Sequence, residues 1–232
     1  MKQSPLRHAQ RAAFGETMKY TDIVWDFNGT LLDDIKAGID AVNDMLSRRG
    51  LATIDSVEQY RELFCFPIID YYAKLGFDFA KEDYYTVLAP EWVALYMENY
   101  KHSTLTDHAQ QALQTLREQG YAQTLLSATE LEMLKGQLRD MGLESYFGEV
   151  WGLDNIHAGG KLARAIAWRE AHPDAKALFV GDTIHDWEVA CAAGADCVLY
   201  CGGHQSRAQL AACGCPVLNS LAELEAYLSA QV

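Results

Sequence analysis

The sequence predicts an α/β protein: a doubly wound, Rossmann-like core of parallel strands with a small all-helical domain inserted after the first strand. Two observations predict it. Short apolar runs that end in small or polar residues recur along the chain, and helical patterns separate most of them. Strands alternating with helices are the order of a parallel sheet covered by helices on both sides. Residues 35–100 interrupt this alternation with helical patterns alone.

Six apolar runs are the predicted strands of the core. They are DIVWDF (22–27), YAQTLLSA (121–128), EVWGL (149–153), KALFVGD (176–182), DCVLYCGG (196–203) and PVLN (216–219). The segment HAQQALQTLREQG (108–120) is typical of the helices between them, because its apolar residues share one face and a glycine ends it. In such sheets functional residues collect at the carboxyl ends of the strands.

The inserted segment is predicted to be helical throughout. Ile35, Ile39, Val42 and Leu46 recur at helical spacing, and no strand pattern follows before residue 100. We therefore divide the chain into an N-terminal extension (1–17), a core (18–34 and 101–232) and an inserted helical domain (35–100). Its aromatic residues are expected to form its core rather than a ligand cage. They are Tyr71, Tyr72, Tyr84, Tyr85, Trp92, Tyr96 and Tyr100.

The charge balance restricts the class of partner. The formal net charge is −13, which argues against nucleic acid or an anionic membrane as the main partner, because both attract basic surfaces. No apolar run is long enough to cross a bilayer. Residues 1–20 lack the apolar segment of a secretion signal, so we expect a cytoplasmic protein.

The cysteines fit the same compartment. None of the six forms a CxxC pair, and we expect them to be reduced and mostly buried. A zinc site is the alternative, because Cys213 and Cys215 follow His204 closely. Their spacing matches no standard zinc site.

Four polar signals follow predicted strands or begin a helix. They are Asp26 in WDFNGTLL, Ser127 in LLSAT, Lys161 at the start of KLARAIAWRE, and Asp182 with Asp186 in FVGDTIHD. A parallel sheet brings such positions to one edge. Carboxylates suit Mg²⁺, while a hydroxyl, an ammonium group and backbone amides suit phosphoryl oxygens. The set therefore fits metal-assisted phosphoryl transfer, in which the Asp26 carboxylate attacks phosphorus.

In this order and spacing, the motifs DxxGTL, SAT, Lys and GDTxxD resemble the haloacid dehalogenase-like superfamily, particularly its phosphoglycolate-phosphatase-like branch. The resemblance extends from about residue 18 over nearly the whole chain. It includes the insert, which looks like the cap of that branch, with FCFPIIDYYAKLGFD (64–78) similar to cap sequence. It implies Mg²⁺-dependent hydrolysis of a small phosphorylated metabolite through an aspartyl-phosphate.

The resemblance also implies roles for individual residues. Asp26 would be the nucleophile and a metal ligand, the main-chain carbonyl of Asn28 and the carboxylate of Asp182 would complete the metal site, and Asp186 would position Lys161 or a metal-bound water. The remaining positions would hold the phosphate group. They are Thr30, Ser127, Ala128 and Lys161.

Asn28 departs from the family pattern, since most phosphatases of the superfamily have an acid/base aspartate there. An amide cannot give up a proton near neutral pH. General acid–base catalysis is typically worth about 10²–10⁴ in rate. Three outcomes stay open: a substrate with a good leaving group such as an acyl or aryl phosphate, another acid such as His185 or His157, or slow turnover.

Two other functions follow from the same departure. A phosphate-binding regulatory protein would need little turnover, although it would have no need of Asp26. Phosphonate-cleaving relatives lack the aspartate and form a Schiff base on a cap lysine, for which Lys36, Lys74 and Lys101 are the candidates. Dehalogenation is less favoured, because Asp182 and Ser127 suit metal and phosphate better.

Overall fold

A computed structural model describes residues 18–157 and 160–231, so the predicted extension 1–17 lies outside the described residues. Six parallel strands form the central sheet in the order β5-β4-β1-β6-β7-β8. All eight strands, in chain order, are β1 (Asp22–Trp25), β2 (Leu32–Asp33), β3 (Thr104–Leu105), β4 (Ala122–Glu130), β5 (Glu149–Leu153), β6 (Ala177–Gly181), β7 (Asp196–Tyr200) and β8 (Val217–Leu218). Each predicted core strand is present, and the predicted α/β fold is confirmed.

Helices alone occupy the inserted segment. The α-helices are α1 (Ile35–Arg48), α2 (Val57–Leu63), α3 (Ile68–Lys74) and α4 (Ala89–Asn99). A π-helical turn (Tyr84–Leu88) leads into α4, and a 3₁₀ turn (Tyr100–His102) follows it. We call this segment the cap. It leaves and rejoins the core through β2 and β3, which pair antiparallel as a short ribbon that the sequence patterns did not predict.

The remaining helices cover both faces of the central sheet. They are α5 (Ala109–Glu118), α6 (Leu131–Asp140), α7 (Lys161–Ala171), α8 (Ile184–Ala192), α9 (Arg207–Leu210) and α10 (Glu223–Ser229). Ile23 and Trp25 of β1 belong to one buried cluster with residues of α5, α6 and α10, whereas Val24 belongs to another with residues of α7, α8 and α9. Successive side chains of a strand point to opposite faces, which is why both clusters form.

The aromatic residues of the cap largely behave as predicted. Five of the six tyrosines in this set are buried, and Trp92 is half-buried. Tyr85 is the exception, with 53% of its surface exposed, because the π-helical turn points it away from the packed side. Burial and a ligand-binding role are not alternatives here, since several of these rings also line a cavity.

The prediction that the cysteines are mostly buried is wrong. All six are free thiols, but only Cys197, inside β7, is buried, while Cys191 is exposed and the other four are half-buried. Cys213 and Cys215 lie in the connection between α9 and β8, where they pack against the edge of a buried cluster and are only partly covered. None of the helices in the described part of the chain is long and apolar enough to span a membrane.

Candidate active site

The predicted polar residues meet at the carboxyl edge of the sheet. Asp26 follows β1, Ser127 lies near the end of β4, and Asp182 follows β6. Lys161 is the first residue of α7, and Asp186 lies in the first turn of α8. All five line one cavity between the core and the cap.

Lys161 joins two of the carboxylates. The residue is buried, and its Nζ donates to Asp26 Oδ1 and, at 2.5 Å, to Asp186 Oδ1. The other oxygen of Asp186 accepts from the amide of Thr183 at 3.0 Å and from its hydroxyl at 2.6 Å. The Asp186 amide also donates to the Thr183 hydroxyl at 3.3 Å, which completes a capping box at the start of α8. Burial acts to raise the pKa of Asp186, but Lys161 and Thr183 outweigh it and lower the pKa.

Thr30 does not face the cavity as the predicted phosphate contact would require. It is fully buried, and its hydroxyl lies 3.2 Å from Asp26 Oδ2 and 3.0 Å from Asp182 Oδ1. The single hydroxyl proton therefore holds these two carboxylates in place. The tight turn that follows β1 folds the Thr30 side chain back under the strand ends, which the motif alone could not show.

The carboxylates form a group that fits a divalent cation. Oxygens of Asp26, Asp182 and Asp186 lie within 4.8 Å of one another. Burial, partly offset by Lys161, and then the nearby carboxylates raise the pKa of Asp26 to about 8, and burial raises that of Asp182 to about 6. Burial therefore disfavours the ionised form of both carboxylates, and a hard cation with oxygen ligands would stabilise that form. The main-chain carbonyl of Asn28 accepts no hydrogen bond from the described residues and is a further oxygen donor.

The Asn28 side chain is occupied on both sides. Its Nδ2 donates to Asp34 Oδ2 at 2.7 Å and to Tyr96 Oη at 2.9 Å. Its Oδ1 accepts from Thr129 Oγ1 at 2.8 Å. Both amide hydrogens are thus used within the protein, and Asn28 has none left to donate to a substrate.

Asp34 is a buried carboxylate that the sequence patterns missed. Besides Asn28, it accepts from the amide of Gly29 at 2.9 Å and from Tyr96 Oη at 2.7 Å. Burial acts to raise its pKa, but these hydrogen bonds and His204 lower it. The sequence LLDD contains two adjacent acids, and nothing in it distinguishes buried Asp34 from exposed Asp33.

His204 belongs to the same network. Its Nε2 lies 3.5 Å from Asp34 Oδ1, its Nδ1 lies 2.8 Å from Tyr60 Oη, and its amide donates to Asp182 Oδ2 at 2.6 Å. Burial would lower the pKa of His204, but the carboxylates outweigh it and raise it to about 9. The zinc alternative is not supported, because the metal-compatible group in residues 18–157 and 160–231 is Asp26, Asp182 and Asp186, without cysteine.

Ser127 and Ala128 present a small polar edge of the cavity. The Ser127 hydroxyl donates to Thr129 Oγ1 and accepts from the Thr129 amide, both at 3.1 Å. A register shift between Leu126 and Glu130 interrupts the pairing of β4 with β5 and opens this turn. Ala128 is half-buried and lines the cavity beside Ser127.

The cap contacts the core beside the cavity, through the loop after β7 and through α8. Arg61 donates to the carbonyl of Gly203 at 2.8 Å and to that of Gly202 at 2.6 Å. Phe64 stacks on His204 with ring centroids 4.9 Å apart, and Phe66 stacks on His185 at 4.6 Å. The cavity between the core and the cap has a volume of about 150 Å³.

The other predicted candidates lie in different places. His185 lines the cavity but its Nδ1 is 3.1 Å from Glu188 Oε2, and His157 is not among the lining residues. Neither Lys36, Lys74 nor Lys101 lines the cavity, and all three are exposed. The described residues therefore offer no cap lysine for a Schiff base.

Gly29→Ala is expected to lower the free energy of unfolding more than Gly50→Ala, a control with the same left-handed backbone. Gly29 has φ of 74°, and a Cβ there would collide with the Asp182 carboxylate and the His204 ring. Gly50 has φ of 66°, and a Cβ there would have no neighbouring atom within 4 Å. Gly50→Ala should cost about 1–2 kcal/mol for the left-handed backbone, and Gly29→Ala a further 1–3 kcal/mol or so for overpacking. Urea denaturation of both variants measures the difference; equal losses would contradict the packing described.

A Rossmann-like core with carboxylates at its strand ends, covered by an inserted helical cap, defines the class of this protein as a capped hydrolase with a Rossmann-like core. A family model described as haloacid dehalogenase-like hydrolase matches residues 23–200. The chain belongs to this family, and the resemblance inferred from its motifs is confirmed. The search of curated proteins found no match to the chain.

Solved structures with the same fold belong to proteins described as having different functions. A haloacid dehalogenase-like family protein from Streptococcus pneumoniae has a TM-score of 0.72 at 19% identity, covering 90% of this chain and 98% of that chain. A predicted phosphoglycolate phosphatase from Haemophilus somnus has a TM-score of 0.67 at 17% identity, covering 91% of this chain and 99% of that chain. Protein Tyrosine Kinase A from Mycobacterium tuberculosis has a TM-score of 0.71 at 21% identity, covering 92% of this chain and 99% of that chain. At these identities the likeness shows the fold alone, so the substrate must be argued from the site.

Proposed function

We propose that the protein is a Mg²⁺-dependent phosphatase that hydrolyses a small phosphorylated metabolite through an aspartyl-phosphate on Asp26. The observation that carries this proposal is the meeting of Asp26, Asp182 and Asp186 with Lys161 at one edge of the sheet. A phosphate-binding protein needs cations and donors at such a site. It has no need of a carboxylate aimed at the same position, which an enzyme forming a covalent intermediate requires.

Magnesium would be held by Asp26, Asp182 and the main-chain carbonyl of Asn28. When bound, the ion supplies positive charge that lets an anionic nucleophile approach an anionic ester. Although Asp186 lies in the same group of carboxylates, Lys161 and Thr183 already occupy its oxygens. We assign Asp186 to holding Lys161 in place.

The remaining roles follow from position and charge. Lys161 and the Ser127 hydroxyl, with the backbone at Ala128, would bind the phosphoryl oxygens, because they border the cavity beside Asp26. Thr30 would hold Asp26 and Asp182 at their mutual distance rather than bind phosphate itself. Asp26 then displaces the leaving group, and water cleaves the resulting acyl phosphate.

The direct test is phosphate release from phenyl phosphate by the purified chain. We expect hydrolysis that is lost on chelation of divalent cations, restored by Mg²⁺ and absent from Asp26→Asn. Mg²⁺ should also raise the thermal unfolding midpoint, since an ion that binds only the folded state stabilises it. Hydrolysis no faster than that of Asp26→Asn would refute the proposal, as would full activity without a divalent cation.

A further inference from the structure

One wall of the cavity, apart from the carboxylates, is built mainly from aromatic and aliphatic side chains. Residues of the cap supply most of it, and Met133 and Ile156 of the core complete it. Its aromatic residues include Phe64, Phe66, Tyr71, Tyr72 and Trp92. Pockets of this composition bind the apolar part of a ligand by excluding water from it.

Positive charge is missing from that wall. Among the described residues that line the cavity, Lys161 is the one lysine or arginine, and it is already shared by two carboxylates. The arginines of the cap are engaged elsewhere. Arg49 binds Glu82 and Glu91, Arg48 binds Glu91, and Arg61 binds backbone carbonyls of the core.

The histidines do not replace a cap cation. His204 is held between Asp34 and Tyr60, and His185 lies against Glu188 and Phe66. Four aspartates, Asp26, Asp34, Asp182 and Asp186, also border the cavity. A substrate with a second carboxylate or phosphate would bury that anion without a partner, which is strongly unfavourable.

We propose that the substrate is a phosphate monoester of an uncharged phenol, and that the cap wall discriminates against esters carrying a second anion. This inference rests on the proposed phosphatase function. It separates the chain from an enzyme for phosphoglycolate, whose carboxylate would face the apolar wall.

A buried hydroxyl marks where a polar atom of such a substrate would bind. Tyr71 is 4% exposed, lines the cavity, and its Oη has no hydrogen-bond partner among the described residues. Buried polar groups are rarely left without a partner, so an unpaired one in a cavity points to a ligand atom. A ring hydroxyl, carbonyl or ring nitrogen would satisfy it without adding charge.

The kind of leaving group follows from the inability of Asn28 to donate a proton. An Asp26 oxygen forms the new bond to phosphorus while the bond from phosphorus to the ester oxygen breaks, and the leaving group departs with that electron pair. Asn28 has no proton to give it, because its amide hydrogens are bound by Asp34 and Tyr96. An aryl oxide tolerates this and takes a proton from water afterwards, whereas an alkoxide does not.

Three esters test the proposal on the wild-type chain with Mg²⁺: phenyl phosphate, 4-carboxyphenyl phosphate and benzyl phosphate. The 4-carboxyphenoxide is at least as good a leaving group as phenoxide. We nevertheless expect at least about a tenfold lower kcat/KM for 4-carboxyphenyl phosphate, mainly through KM, because its second anion is buried unpaired. Benzyl phosphate should bind with a similar KM and turn over about 10²–10⁴-fold more slowly.

A matched pair of variants tests the origin of the discrimination. Val93 lines the cavity, whereas Ala94, its neighbour on α4, is exposed. Val93→Lys should narrow or reverse the preference for phenyl over 4-carboxyphenyl phosphate, and Ala94→Lys should leave it unchanged. Equal or higher kcat/KM for 4-carboxyphenyl phosphate or phosphoglycolate in the wild type would overturn the substrate class while the phosphatase stands. Hydrolysis of none of the esters would instead refute the phosphatase.

Discussion

Asp26→Asn is expected to lower phosphate release from phenyl phosphate at least about 10³-fold, since loss of the nucleophile in other enzymes with covalent intermediates costs up to about 10⁶ in kcat. The substitution keeps the size of the side chain but removes the attacking anion. It also removes one negative charge from the group that Lys161 holds together. The variant should therefore still fold, and binding of Mg²⁺ should weaken as well.

Two measurements separate lost chemistry from lost structure. Asp44→Asn is the matched control, because Asp44 is exposed on α1 and does not line the cavity, so its activity should equal that of the wild type. Rapid acid quenching during turnover, followed by peptide mass spectrometry, should find a phosphoryl group on Asp26 of the wild type and of Asp44→Asn. A phosphoryl group on any other residue, or substantial turnover by Asp26→Asn, would show that Asp26 is not the nucleophile.

Exchanging the amide and the carboxylate, Asn28→Asp with Asp34→Asn, is expected to raise kcat for benzyl phosphate by about 10²–10⁴, the usual value of a general acid. In the wild type, Asn28 Nδ2 donates to Asp34 Oδ2 at 2.7 Å. The exchange keeps a hydrogen bond between the two positions with donor and acceptor reversed. It places a proton donor beside the leaving group, so the gain should be larger for benzyl than for phenyl phosphate.

The single variant Asn28→Asp should gain less kcat for benzyl phosphate than the exchange variant and should be less stable than it. Two carboxylates would then lie in contact, and such a pair shares one proton because like charges at this distance cannot both ionise. The lost charge-assisted hydrogen bond adds about 1.5–3 kcal/mol of destabilisation. Asn28→Asp with Asp33→Asn is the control, since Asp33 is the exposed neighbour of Asp34. If the folded exchange variant hydrolyses benzyl phosphate no faster than the wild type, a missing acid is not what limits turnover.

The exchange also distinguishes the two classes of function that Asn28 left open. A phosphate-binding protein without a competent nucleophile gains nothing from an added acid. An enzyme specialised for good leaving groups gains most on poor ones. The network around Asn28, in which Asp34, Tyr96 and Thr129 bind every polar atom of its side chain, is the structural reason for expecting the second result.

The core of the molecule was predictable from the sequence because its signals are local. Period-two and period-3.6 patterns place strands and helices, and a parallel sheet brings strand ends together whatever the details of packing. The placement of Asp26, Ser127, Lys161, Asp182 and Asp186 at one edge was therefore predictable from the sequence alone. The strand order and the ribbon of β2 and β3 could not, since pairing joins residues as distant as Leu32 and Leu105.

By itself, the sequence determined the α/β class, the helical insert and the five polar positions that share the site, because each depends on residues near one another in the chain. Only the tertiary structure decided that the Thr30 hydroxyl contacts the carboxylates of Asp26 and Asp182, and that Asp34, Tyr96 and Thr129 enclose the Asn28 side chain. It also decided that the cap covers the site with an apolar wall. Those features depend on which side chains meet across β1, α4 and the loop after β7, and the free energy of such contacts is set by burial, which no local pattern records.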